Sequence, residues 1–205
     1  RGDVPVNSVD VSYEAAKRIG YIKVSKFARN TYNEFITAIA KLKQAGCTSF
    51  VIDLRGNTGG YMDAAINMIN EFMPEGRLIV YTEGKSFPRS DVYANGTGTC
   101  KDAPIVVLTD EISASASEIF SGAIQDNDRG TIIGRRTYGK GLVQTQMSLS
   151  DGSEMRLTIA RYYTPSGRCI QKKYEMGNTD DYDQDIYNRY MHLSLIHISE
   201  PTRRS

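Results

Sequence analysis

The sequence predicts a mixed α/β fold, and two observations support that prediction. Short apolar runs of strand length alternate with segments of helical periodicity up to about residue 130, which is the order typical of α/β domains. Two segments of alternating polarity then follow on either side of Asp151-Gly152, which predicts a β-hairpin. A chain of 205 residues is long enough to bury a substantial core.

Composition excludes several function classes. The hydrophobic fraction of 40% and the charged fraction of 24% are those of a globular protein. A net charge of +1 gives no electrostatic argument for binding nucleic acid or an anionic membrane. The three cysteines are scattered and both histidines lie near the carboxyl terminus, so neither a zinc site nor a histidine-based triad is expected.

The domain organisation is expected to be simple. Residues 1–19 form a lead-in segment, 20–192 the core domain, and 193–205 an atypical tail that continues none of the preceding patterns. The chain begins at Arg1 without a signal peptide, so we expect it to be an internal fragment of a longer protein.

Periodicity and turn residues predict the individual elements. Strands are predicted at 4–6 or 9–11, then at 20–24, 50–54, 78–81, 105–108, 131–133, 142–147 and 155–163. Helices are predicted from 31 to about 45, at 64–72 and from 116 onward, with a loosely helical segment at 174–190. Thr31 and Glu34 form a predicted capping box, Gly46 ends the first helix, and 83–102 is a long polar loop.

The segment Ser113-Ala114-Ser115-Ala116-Ser117-Glu118 joins a predicted buried strand to a predicted helix. Unpaired backbone N–H groups and the positive end of the helix dipole meet there. That position suits a nucleophilic hydroxyl and its oxyanion hole. It also suits an ordinary N-cap, and this stretch alone favours the cap because serine is a preferred capping residue.

Lys140 is the second candidate, within Tyr138-Gly139-Lys140-Gly141. Residues 134–140 fit the phosphate-binding pattern GxxxxGK, but Gly141 replaces the magnesium-binding Ser or Thr and a strand follows where a helix is required, which excludes that site. An activated serine without histidine needs another base, and an enclosed, neutral lysine can serve. Gln144, on the same strand face, could hold the amine. A solvated turn lysine and an outward glutamine are the alternatives.

Two further features could complete a site. Asp126 lies on the same predicted helix face as Ser115 and could support it, with Arg129 or Lys140 as partner, or could be merely solvated. Arg55-Gly56-Asn57-Thr58-Gly59-Gly60 precedes a helix, so its N–H groups could bind an anion, although such glycine-rich turns are common.

Three ordered segments, 53–60, 113–126 and 134–144, together resemble the motifs of the carboxyl-terminal processing proteases, also called tail-specific proteases. The likeness extends from about residue 20 to about residue 170. It implies a crotonase-like or Clp-protease-like α/β core with a mixed sheet and packed helices. It also implies a serine endopeptidase that cleaves polypeptides near their carboxyl termini by acyl transfer through a Ser–Lys dyad.

The resemblance assigns the dyad by spacing. Ser115 matches the nucleophile and Lys140 the general base, because their separation of 25 residues is that of the family. Ser113 and Ser117 do not give this separation. Gln144 matches the residue that orients the lysine.

The resemblance also assigns the supporting groups. The N–H of Ala116, together with that of Gly59 or Gly60, would form the oxyanion hole, with Gly59 as the first choice. Asp126 matches a carboxylate of supporting role.

The resemblance implies polypeptide substrates and no metal, ATP or other cofactor, usually outside the cytoplasm, for example in the periplasm. Family members usually carry a PDZ domain before this core, which residues 1–20 are too few to form, and the full-length protein is expected to carry one, with a signal peptide or membrane anchor. Two alternatives remain: a catalytically silent peptide-binding core and a crotonase-type acyl-thioester enzyme. The oligomeric state stays open.

Overall fold

Two β-sheets and three helices make up the fold in the computed structural model, which describes residues 7–174, 184–185, 187–189 and 191. The strands are β1 (Val9–Ala16), β2 (Ile19–Val24), β3 (Ser49–Asp53), β4 (Leu78–Glu83), β5 (Ser90–Tyr93), β6 (Ile105–Thr109), β7 (Thr131–Gly134), β8 (Leu142–Ser148) and β9 (Glu154–Tyr163). The helices are α1 (Thr31–Gln44), α2 (Met62–Asn70) and α3 (Ala116–Asp126).

The first sheet has the strand order β1-β2-β3-β6-β7. Strand β1 pairs antiparallel with β2, and the remaining neighbours pair parallel. Its central positions Ile22, Ile52 and Val107 are fully buried, as expected for parallel strands covered by helices. The loops that follow β3, β6 and β7 therefore leave the sheet at the same edge.

The second sheet has the order β5-β4-β9-β8 and is antiparallel throughout. Its β8–β9 hairpin closes where the Leu149 N–H donates to the Ser153 carbonyl at 2.8 Å. Asp151 accepts from the Ser153 N–H, and Gly152 adopts a positive φ of 84°. The predicted Asp151-Gly152 turn is confirmed.

Phe72 lies at the centre of the aromatic core. Its ring makes edge-to-face contacts with Phe35 at 6.1 Å, Phe50 at 6.4 Å and Phe120 at 6.5 Å between ring centroids. These partners come from α1, β3 and α3 respectively. One side chain thus connects the first sheet to two helices, and such contacts add to the free energy of apolar burial.

The predicted mixed α/β class is confirmed, while its crotonase-like label stays a prediction. The strand expected at 9–11 is present as β1, whereas the alternative at 4–6 and the tail at 193–205 lie outside the described residues. Because β1 pairs with β2, the first sheet begins before the boundary expected at residue 20. Of the described residues in the loosely helical segment predicted at 174–190, residues 184–185 and 187–189 are helical and Tyr174 is not.

The predicted capping box at α1 is wrong. Asn30 occupies the N-cap without a side-chain hydrogen bond, and the Thr31 hydroxyl instead accepts from the Ala28 N–H at 2.7 Å. The Glu34 carboxylate accepts from the backbone N–H of Ser8 at 2.6 Å. The local pattern assigned the Glu34 side chain to the start of the helix. In the structure, Glu34 instead makes a tertiary contact with the segment before β1.

Strand β5 was not predicted, and it lies within the long polar loop expected at 83–102. Its four residues include only Val92 as a half-buried aliphatic side chain, so the segment carries no strand periodicity. This segment is a strand because it pairs antiparallel with β4. In the part of the chain that the structure describes, no helix is both long enough and apolar enough to cross a bilayer.

Replacing Phe72 by alanine is expected to lower the free energy of unfolding by about 3–5 kcal/mol, because a large cavity would open among three aromatic rings. Urea denaturation monitored by circular dichroism measures the loss. Phe87→Ala is the matched control, since Phe87 is 45% exposed and should change stability little. Equal stability losses in the two variants would contradict the central placement of Phe72.

Candidate active site

Three loops meet at the carboxyl edge of the first sheet and are joined by hydrogen bonds. They follow β3, β6 and β7, which are adjacent parallel strands. The Ser113 hydroxyl donates to the Leu54 carbonyl at 2.9 Å, and the Ala114 N–H donates to the Asn57 carbonyl at 3.0 Å. The Tyr138 N–H donates to the Ser113 carbonyl at 2.9 Å. These contacts bring together the three segments that carry the predicted site residues.

Among the three serines, Ser115 differs in exposure and in backbone conformation. Ser113 and Ser117 are fully buried, and the Ser117 hydroxyl donates to the Asn57 carbonyl at 2.9 Å. Ser115 is half-buried and is the N-cap residue of α3, with φ 56° and ψ −113°. A non-glycine residue in this region is strained, and such strain occurs at functional sites where surrounding structure enforces it. A sharp strand-to-helix turn also presents the nucleophilic serine in α/β-hydrolases.

Gly59 lies directly against the Ser115 backbone. A Cβ at Gly59 would be 2.8 Å from the Ser115 Cβ and 3.1 Å from the Ala116 nitrogen, so glycine is needed there. The Gly59 N–H, the first choice for an oxyanion donor, donates to Asn57 Oδ1 at 2.8 Å. Within the described residues, no hydrogen bond of the Gly60 N–H or the Ala116 N–H is found. Because the Gly59 N–H already donates to Asn57, Gly60 is the better candidate for the second donor of an oxyanion hole.

Glu118 connects the serine to the lysine loop. Its carboxylate is 5% exposed and accepts from the backbone N–H groups of Ser115 at 2.9 Å, Gly139 at 2.7 Å and Lys140 at 2.8 Å. Burial raises the pKa of Glu118 above its usual range, while the donors Lys140, Thr137, Ser115 and Gly139 oppose that shift. One buried carboxylate therefore holds the backbone of both predicted dyad residues.

Sequence reasoning assigned Glu118 no role, although a signal for it was present. Ser115 and Glu118 have the S-x-x-E spacing of a capping box, in which the glutamate accepts from the N-cap N–H. The observed Ser115 N–H contact is that interaction. The additional bonds to Gly139 and Lys140 cross more than 20 residues of sequence, and no local pattern predicts them.

Lys140 is exposed, so the enclosure expected for it is wrong for this structure. The glycines on either side of Lys140 are buried against residues 170–172, so only its side chain is open to solvent. Within the described residues, no hydrogen bond or ion pair of the Lys140 ammonium is found. Gln144 is exposed on β8, and its amide nitrogen lies 3.4 Å from the Thr158 hydroxyl and not on Lys140. The catalytic roles of both residues stay predictions.

Asp126 lies at the opposite end of α3 from Ser115, about 16 Å away at the usual helical rise. Its carboxylate accepts from the Ser166 hydroxyl at 2.6 Å and pairs with Arg168, so the partners considered from the sequence, Arg129 and Lys140, are not those found. Burial by itself would raise the pKa of Asp126. Hydrogen bonds from Ser166 and the charge of Arg168 outweigh burial and lower that pKa. Asp126 therefore stabilises the turn after β9.

Asp53, at the end of β3, anchors the glycine-rich loop. It is 1% exposed and accepts from Arg55 Nη2 at 2.7 Å and from the Tyr21 hydroxyl at 2.5 Å. Burial opposes ionisation, but Arg55, Tyr21 and Lys23 together lower the pKa of Asp53 to about 2. Burial and the hydrogen bond to Asp53 raise the pKa of Tyr21 to about 12. Charged and hydrogen-bonded partners of Asp53 thus fix the start of the glycine-rich loop. No pattern in the sequence identified Tyr21 as one of these partners.

Among the described residues, no group of three or more histidine, cysteine, aspartate or glutamate side chains could hold a metal ion. His192 and His197 lie outside those residues.

Residues 18–184 match peptidase family S41. Over 154 residues the chain is 42% identical to a carboxyl-terminal-processing protease of Synechocystis sp., covering 75% of this chain and 36% of that protein. Over 159 residues it is 38% identical to a chloroplastic C-terminal processing peptidase of Tetradesmus obliquus, covering 77% of this chain and 34% of that protein. The chain therefore spans about a third of the length of these relatives.

The fold is similar to that of a solved photosystem II D1 C-terminal processing protease. The TM-score is 0.71 at 38% sequence identity, over 75% of this chain and 40% of that chain.

Replacing Asp53 by asparagine is expected to remove part of the acid sensitivity of folding. A carboxyl group with a pKa of about 2, below its usual 3.8, adds stability that is complete above about pH 4 and is lost as pH falls through about 2. The free energy of unfolding of Asp53→Asn should therefore be lower at neutral pH and flatter across that window. Urea titrations at several pH values measure it, with exposed Asp10→Asn as control. An unchanged pH slope in Asp53→Asn would contradict the assignment.

Replacing Glu118 by glutamine should lower the free energy of unfolding by about 1–3 kcal/mol, because the new NH₂ group cannot accept and leaves a buried backbone N–H without a partner. Urea denaturation at neutral pH measures the change. Glu75→Gln, at an exposed glutamate, should be nearly neutral. If Glu118→Gln were as stable as the unmodified chain, the proposed link between the two loops would be untenable.

Proposed function

This chain belongs to peptidase family S41, as the predicted resemblance implied, and from that premise we propose that it is the core of a serine endopeptidase cleaving polypeptides near their carboxyl termini. One observation carries the proposal. The strained, half-buried Ser115 at the start of α3 shares the buried Glu118 carboxylate with the backbone of Lys140. That shared acceptor supports a Ser–Lys dyad, because it holds the two backbones in a fixed relation.

In the first step, the Ser115 hydroxyl attacks the carbonyl carbon of a peptide bond, and a neutral Lys140 amine accepts the hydroxyl proton. The negative oxygen of the tetrahedral intermediate is stabilised by backbone N–H groups. Ala116 is proposed as one donor, since its N–H lies at the start of α3. Gly60 is the second, or Gly59 if its N–H leaves Asn57 Oδ1.

In the second step, the C–N bond of the tetrahedral intermediate breaks and Lys140 returns the proton to the leaving amine. This leaves an acyl ester on Ser115. Water then attacks the ester carbon while Lys140 takes one of its protons. The C–O bond to Ser115 breaks, Lys140 returns that proton to Ser115 Oγ, and the carboxylic acid is released. Gln144 would orient the Lys140 amine after turning from Thr158. Asp126 would act only by stabilising the turn that packs beside α3.

The substrates and setting of the whole protein are proposed from the family. The names of the relatives describe carboxyl-terminal processing, which supports an extended polypeptide substrate for this chain. No metal or other cofactor takes part in the proposed mechanism. A PDZ domain in the remainder of the full-length protein, a signal peptide or membrane anchor, and a periplasmic or other extracytoplasmic location are proposed on resemblance.

The exposure of Lys140 favours one alternative, a peptide-binding core in which the dyad never assembles. Such a core would bind polypeptide without cleaving it, and its Ser115 would not react with a fluorophosphonate. No observation favours the acyl-thioester alternative.

Ser115→Ala and Lys140→Ala should each abolish cleavage of β-casein, a fall in kcat/KM of about a thousandfold or more, because each removes a group used in bond formation. Gel electrophoresis follows the cleavage, and urea denaturation checks that the variants fold. Lys17→Ala, at an exposed lysine in the turn between β1 and β2, is the control and should retain full activity.

The two variants also separate the proposals. Cleavage by Ser115→Ala at the unmodified rate would overturn the nucleophile, and cleavage by Lys140→Ala would overturn the base. Binding of β-casein by the unmodified chain, with neither cleavage nor fluorophosphonate labelling, would favour the silent core.

A further inference from the structure

The β8–β9 hairpin exposes an apolar face. Alternate residues of a strand lie on the same face, and Met147 pairs with Met155 while Thr145 pairs with Leu157. Met147, Leu149, Met155 and Leu157 are each between 41% and 47% exposed. Alternation of this kind normally indicates a face covered by other parts of a protein. Here, within the described residues, these four side chains stay about two-fifths exposed or more.

Strand β8 is also an unprotected edge. It is the last strand in the order β5-β4-β9-β8, and no described strand pairs with its outer side. Proteins usually protect such edges with charged residues, proline or bulges. Leu142–Ser148 contains neither a charged residue nor a proline, and the one irregularity in its pairing lies at its start, between Val143 and Gln144. The remaining edge is regular and suited to pair with another strand.

The position of this edge relative to the candidate active site is fixed. Gly141 precedes β8, its N–H donates to Gln171 Oε1 at 2.9 Å, and its carbonyl accepts from the Tyr162 N–H at 2.8 Å. The preceding residue, Lys140, is held through its backbone by Glu118, which also holds Ser115. A chain paired along β8 would therefore start beside the lysine loop.

We infer that β8 is the docking strand for the polypeptide substrate, which adds to its outer edge as a fifth strand and favours apolar side chains at alternate positions. The inference rests on the proposed function. Backbone hydrogen bonds would provide affinity, and the apolar side chains would extend the face of Met147 and Met155. The substrate is the occupant because the edge begins two residues after Lys140, where the cleaved chain must pass. A chain bound there would also shield Lys140 from solvent, as the dyad requires.

The test compares two variants of the same strand on a quenched fluorescent dodecapeptide with valine at alternate positions. Met147→Lys places a charge on the apolar face, whereas Gln146→Lys places it on the opposite face, beside Glu154. Met147→Lys should raise KM about tenfold or more with kcat unchanged, and Gln146→Lys should change KM less than about twofold. Equal KM values in the two variants would overturn the inference.

A second measurement uses the unmodified chain and does not depend on variant folding. Strand addition uses the N–H groups of alternate peptide residues. Single N-methylation along the dodecapeptide should therefore weaken inhibition of β-casein cleavage at every second position. A uniform effect, or none, would overturn the inference.

Failure of the proposed function is separately visible. If the unmodified chain cleaves nothing, fluorescence anisotropy of the labelled dodecapeptide still tests docking, and Met147→Lys alone should weaken binding. If cleavage is normal but Met147→Lys leaves KM unchanged, docking at β8 is wrong and the peptidase proposal stands. A dimer in sedimentation that Met147→Lys dissociates, without a change in KM, assigns the apolar face to a second copy and overturns the inference.

Discussion

The candidate site depends on one buried carboxylate. Glu118 accepts hydrogen bonds from the backbone N–H groups of Ser115, Gly139 and Lys140. Ser115 belongs to the loop after β6, and Gly139 and Lys140 belong to the loop after β7. Burying a carboxylate is unfavourable unless donors surround it, so these bonds are mutually dependent. Loss of Oε2 as an acceptor would remove the bonds to Ser115 and Lys140 together. The strained backbone of Ser115 is held in this way, because its own N–H belongs to the same set.

The rest of the site is held by the sheet edge and by the aromatic core beneath it. Asp53 fixes the start of the glycine-rich loop, and Asn57 bonds that loop to the serine segment. Phe72 packs against Phe120 on α3, so the helix that carries Ser115 at its start is positioned by apolar contacts. Charge and hydrogen bonds therefore fix the loops locally, while burial positions the elements that carry them.

Exposure separates the supporting framework from the side chains proposed to take part in the reaction. The residues that hold the backbone, Asp53, Asn57 and Glu118, are buried, whereas Lys140 and Gln144 are open to solvent. A base of this kind needs a cover before it can accept a proton. The β8 edge with its apolar face lies next to that opening. A substrate strand at this edge would supply the cover, so binding and activation of the lysine would occur together.

The sequence by itself determined the α/β class, most of the strands and helices, the hairpin, and the order of the three motifs, because hydrophobic period and turn chemistry are local properties. It could not supply the partners of Glu34 and Asp126, the role of Glu118, strand β5, the competition of Asn57 for the Gly59 N–H, or the exposure of Lys140. Each of these is decided by contacts between residues far apart in the chain. Tertiary structure chooses between local patterns of similar energy, since a buried polar group must take whichever partner the fold brings within reach.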